Sequence, residues 1–89
     1  MANETRHPAT VAAAVSMLMT VVPSDQLDLI AKLDRSELSR LHFGLGMWIR
    51  NNLGLWEGNH ALLKDAGAEE ADGASGVIIY ALWEQLRSR

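Results

Sequence analysis

The stretch His42-Phe-Gly-Leu-Gly-Met-Trp-Ile-Arg-Asn-Asn-Leu-Gly-Leu-Trp56 constrains this chain more than any other. It places two tryptophans, three glycines and an Arg-Asn-Asn triplet in one apparent helix and its exit. On a wheel of about 3.6 residues per turn, Leu38, Leu41, Leu45, Trp48 and Ile49 share one side, with Asn52 at the end of that stripe. Phe43 and Met47 fall nearly opposite, beside Arg50. A helix apolar on two sides is normally surrounded by other helices. Gly44 and Gly46 each cost about 1 kcal/mol relative to alanine in a helix interior, so the benefit expected of them is close approach of a neighbouring backbone or ring.

The rest of the chain supplies the neighbours. Thr10 is placed to cap a first helix running to about Val22, where Pro23 stops it. Val11, Val15, Leu18 and Val22 recur at helical spacing, and Ala12, Ala13 and Ala14 permit close contact. Ser24 caps a short helix from Asp25 to Leu33, and Asp34-Arg-Ser-Glu37 reads as a capping box, with Ser36 as a competing cap. Either cap opens the long helix, about 35–53, which Gly54 stops in the left-handed region. A short helix over His60 to Asp65 precedes Gly67, and Asp72 or Ser75 caps a last helix reaching about Arg87. In that helix Ile78, Ile79, Leu82 and Leu86 form one face with Trp83 at its edge, while Val77 and Tyr80 lie on the other side. No segment alternates apolar and polar residues with period two. The expected fold is therefore all-α: a compact bundle of four to five helices packed around a long central helix, about 35–53. Residues 1–8 are read as a flexible leader and 9–89 as a single domain.

Composition removes several function classes. With 89 residues the chain makes one small domain, burying roughly 60–65% of the surface its unfolded form exposes. The absence of cysteine excludes disulfides, thiolate metal sites and a cysteine nucleophile, and it agrees with a cytoplasmic setting. A net charge of −3, with acidic and basic residues interspersed, gives no field for a polyanion. The second helix carries Asp25 and Asp28 against Lys32 alone, so it is no recognition helix, and a nucleic-acid partner is not expected. The apolar run Val11 to Val22 is too short to span a bilayer and is broken by Ser16 and Thr20, so neither is a membrane.

Residues capable of chemistry are few. Arg50 has a planar fork suited to a carboxylate or phosphate, with Asn51, Asn52 and Asp72 as companions in a ligand site. The structural alternative pairs Arg50 with Asp72 or Glu57 and lets Asn52 satisfy loop backbone groups. Asp72 and Ser75 sit where helix caps belong. His42, Glu57 and His60 are the remaining candidates for a metal or an acid–base pair, but no two histidines stand three or four apart. The serines have no base at a recognisable spacing and no Gly-x-Ser-x-Gly elbow, and Gly44-Leu-Gly46 lacks the third glycine of a dinucleotide loop. No catalytic residue, metal ligand or cofactor is assigned, and the chain is read as no enzyme.

The segment His42 to Asn52, followed by Leu55-Trp56, resembles the signature of a bacterial family of small uncharacterised helical proteins, a domain of unknown function. Such proteins carry an HFGxGMWIRN helix and then a PDDxS-like motif before the last helix. The second motif appears here as Asp72-Gly-Ala-Ser75-Gly-Val-Ile78-Ile79, without the leading proline and with Gly73 in place of the second acid. The resemblance spans about Thr10 to Leu86 and implies a shared helical domain with no assigned activity. The expected function is a non-enzymatic protein–protein interaction module, a homodimer or a binder of a partner protein, using the surface of Trp56, Val77 and Tyr80. A small-ligand or anion site centred on Arg50 is the first alternative, and an inhibitor or immunity-type protein the second.

Overall fold

The computed structural model describes residues 7–88. Thr10 opens the first helix, its hydroxyl accepting from the Ala13 N–H at 3.0 Å. This helix, α1, spans Val11–Val21 and turns Ala14, Val15 and Leu18 inward. Val22 leaves it with extended backbone, φ −82 and ψ 129, the geometry a following proline imposes. The second helix, α2, covers Ser24–Ala31 and buries Leu27 and Ile30. Pro23, not Ser24, stands at its cap position, and its last turn closes before Leu33. Asp34 and Glu37 then form the expected capping box, with Glu37 Oε1 accepting from the Asp34 N–H at 2.8 Å.

The region expected as one long helix is helical from Arg35 to Asn52 but wound in three ways. Arg35–Leu41 is a 3-10 helix, His42–Gly46 a π turn, and only Met47–Asn52, α3, is regular α-helix. A 3-10 winding turns each residue about 20° further than an α-helix does, and a π turn unwinds. A wheel at one fixed pitch therefore loses its register across this segment. Ile49 and Arg50 are both buried, while Phe43 and Met47 point to solvent.

Gly54 ends α3 with φ 76, as expected of a left-handed stop. A 3-10 turn, Leu55–Glu57, leads to α4, His60–Ala66, which Gly67 terminates with φ 71. Asn59 holds this corner together. Its Nδ2 donates to the Leu53 and Pro8 carbonyls at 2.8 and 2.9 Å, and its Oδ1 accepts from the Leu62 N–H at 3.3 Å. Of the leader expected over 1–8, residues 1–6 lie outside those described. His7 and Pro8 are packed down, Pro8 buried and the His7 ring against Gly54. Asn59→Ala strands two carbonyls and removes a helix cap, so it is expected to cost about 1–2 kcal/mol. A urea midpoint unchanged by this substitution would show that the corner is held some other way.

The last helix, α5, runs Ala71–Arg87 and begins earlier than either expected cap. Glu70 is its N-cap, Asp72 lies in its first turn, and Ser75 is fully buried inside it. Ala74, Ile78, Ile79, Leu82, Trp83 and Leu86 face the core. This helix, and not the 35–52 segment, is the one that every other helical element touches. The domain is an all-α bundle of five α-helices, with no strand among the described residues.

Candidate functional site

The Arg-Asn-Asn triplet divides three ways. Arg50 is 4% exposed, at the end of α3 that faces α5. Its Nη1 donates to Ser75 Oγ at 2.9 Å, its Nη2 donates to the His42 carbonyl at 3.1 Å, and its Nε lies 3.4 Å from Asp72 Oδ1. Ser75 Oγ in turn donates to the Asp72 carbonyl at 2.9 Å. Every nitrogen of the guanidinium thus has a protein partner, which is how a buried charge becomes tolerable. His42 Nδ1 lies 3.5 Å from Nη1, a contact that is a hydrogen bond only when the imidazole proton resides on Nε2.

Space for this guanidinium comes from a missing side chain. A Cβ on Gly46 would lie 2.9 Å from Arg50 Nη1 and 3.3 Å from the Leu41 carbonyl oxygen. Gly44 has no such neighbour: a Cβ there meets nothing within 4 Å. The two glycines are chemically alike and structurally unlike.

The two asparagines look outward. Asn51 Oδ1 accepts from Trp56 Nε1 at 2.9 Å, steadying an indole that is 62% exposed. Asn52 Nδ2 donates back to the Trp48 carbonyl of its own helix at 2.9 Å, so it closes no loop. The buried loop carbonyls are satisfied instead by Asn59, whose place ahead of His-Ala-Leu-Leu is itself an N-cap signal in the sequence. Arg50, Asp72 and Ser75 meet in one cluster, whereas Asn51 and Asn52 do not join it.

The three proposed surface residues are also separated by element. Trp56 sits on the turn after α3, and Val77 and Tyr80 lie on α5. Tyr80 is engaged locally: its hydroxyl donates to Glu84 Oε2 at 2.9 Å and the Arg35 guanidinium lies 5.0 Å from its ring centroid. The Glu84 carboxylate, which accepts that proton's hydrogen bond, raises the phenol above its ordinary pKa. Beside it, Trp83 donates to the Leu33 carbonyl at 2.9 Å and so ties α5 to the end of α2.

The exposed residue that stands out is Phe43, at 77%. Its ring meets the His42 imidazole edge-on, 4.9 Å between centroids, and lines a cleft of about 350 Å³ with Leu38, Ser39, His42, Gly76 and Ile79. Val77, 39% exposed, adjoins Gly76. A larger groove of about 580 Å³ lies on the other flank of the same segment, between α2 and the Leu41–Trp48 wall. Among the described residues, no three His, Asp or Glu side chains are placed to hold a metal ion. No described helix is long and apolar enough to cross a membrane.

No curated protein and no solved structure matches the chain. A family model does match, over residues 7–86, from the docked His7 to the last turn of α5, and both motifs joined at Arg50 fall within it. On that match the chain belongs to the family described as a Domain of unknown function, DUF6794.

Proposed function

We propose that this domain is a non-enzymatic protein–protein interaction module that pairs with a second copy of itself through the Phe43 face. The observation that carries this reading is a phenylalanine left 77% exposed beside an apolar cleft. A knob and a hole on one patch are what a two-fold interface requires, since each copy offers both. Aromatic anchors that enter pockets dominate the energetics of such contacts. The Gly76 position supplies the hole, because a Cβ there meets nothing within 4 Å. The non-enzymatic part draws support from Ser75, whose hydroxyl is fully buried and committed to the Asp72 carbonyl.

Phe43→Ser tests this pairing. The expected result is a wild-type dimer in sedimentation equilibrium and a variant at least about thirtyfold weaker in self-association. At concentrations low enough for the wild type to be monomeric, the two melting temperatures should nearly coincide, because a solvent-facing ring contributes little to the fold of one copy. Gly76→Leu, which fills the cleft, should have the same effect on association. A wild-type chain that sediments as a monomer at millimolar concentration would defeat the self-pairing reading.

The anion-site alternative at Arg50 has less support. The guanidinium is buried and its nitrogens are engaged, so an incoming anion would have to displace Asp72.

A further inference from the structure

The larger groove has a chemistry of its own. One wall is α2 together with the end of α1, where Leu29 is 58% and Val21 50% exposed; the other is Leu41, Gly44, Leu45 and Trp48. Hydrocarbon and indole line it throughout except for Gln26 and Arg40, and no carboxylate is among its lining residues. The Arg40 side chain is 72% exposed and, among the described residues, its ion pair is with Glu37, 3.5 Å away at i,i+3. Exposed pairs of this kind are weak and exchange readily for a better-placed anion. A guanidinium grips a carboxylate with two parallel hydrogen bonds.

Size argues for a small occupant. The groove's volume of about 580 Å³ falls in the range of roughly 300–1,000 Å³ typical of small-molecule sites. The eight residues of α2 span about 12 Å, which accommodates about two turns of a docked helix. That is well short of the roughly 800 Å² per partner that a stable protein interface usually buries.

We propose that this groove binds a free medium-chain fatty acid, its hydrocarbon tail lying against Leu29, Leu45 and Trp48 and its carboxylate held by Arg40 with help from the Gln26 amide. Tail and head have separate signatures. Each methylene buried strengthens binding about fourfold until the chain outruns the groove. The head group is selected by sign, since one cation and no anion lines the wall. The site is distinct from the Phe43 face, so it stands or falls apart from self-association.

The test is an NMR titration of the whole chain with octanoate, decanoate and dodecanoate below their micelle concentrations, following the Trp48 indole N–H. Expected are a shift of that resonance, a dissociation constant falling about fourfold per methylene, and at least about tenfold weaker binding of dodecyltrimethylammonium, which has the same tail and the opposite charge. Arg40→Glu should weaken dodecanoate at least about tenfold. Gly44→Leu should abolish binding without loss of fold, because the space its side chain enters is empty. An unmoved Trp48 resonance, equal affinity for the two head groups, or undiminished binding by a folded Gly44→Leu chain would each overturn the proposal. Sedimentation of the same samples reads self-association independently, so failure of one reading leaves the other measurable.

Discussion

Replacing Arg50 with alanine is expected to destabilise the domain by about 3–5 kcal/mol, the largest effect of any substitution considered. The change leaves the Ser75 hydroxyl and the His42 carbonyl without their charged donor and opens a void between α3 and α5. A chain of 89 residues has roughly 5–13 kcal/mol of stability in total. In a domain of this size each kcal/mol corresponds to about 4–8 °C in melting temperature. Arg50→Ala should therefore melt about 12 °C lower at least, and it is measured simply by circular dichroism. Arg50→Lys should rescue little, because an ammonium cannot reach three partners with fixed fork geometry. Asp72→Asn provides the control. Its side chain is 61% exposed, so losing that pair should cost less than about 1 kcal/mol. A melting temperature within a few degrees of wild type for Arg50→Ala would show that the cluster does not hold α3 to α5.

The second large effect separates two glycines a residue apart. Gly46→Ala is expected to destabilise by about 2–3 kcal/mol, since its methyl would press on a guanidinium fixed by Ser75 and His42 and on the Leu41 carbonyl. Gly44→Ala is expected to stabilise by about 0.5–1 kcal/mol, the ordinary helix-propensity gain in open space. Opposite signs at neighbouring positions are the result to look for in paired chemical melts. Equal shifts at both sites would mean that the guanidinium has room to move and that Gly46 is not shaped to it.

What could be read from the chain alone follows the range of the interactions involved. Thr10, Gly54, Gly67 and the Asp34–Glu37 box act within a few residues, and all four were recognisable as helix punctuation. The inward faces of α1 and α5 were legible for the same reason, because regular winding lets period alone choose the face. The winding of 35–52 was not. It delivers Arg50 to Ser75 on α5, and a partner 25 residues away has no local signature. The same cause explains Ser75, which resembles a helix cap in sequence and serves as a buried acceptor in the fold. Asn52 sits nearest the loop in sequence, yet Asn59 fills the loop's needs because the turn at Gly54 and Gly58 swings it back over Leu53.

Because every element docks on α5, and α5 is the last of them to be synthesised, the ribosome releases the parts in an order that postpones assembly. At about 5–20 residues per second, the apolar α1 is out for several seconds before α5, the element it contacts most, is complete. During that interval Ala14, Val15 and Leu18 are available to chaperones, proteases or another nascent copy. The domain's exposure to quality control is thus set by a wait during translation, and speeding or pausing decoding of the α5 codons should change its yield in a cell while leaving the purified protein's melting curve untouched.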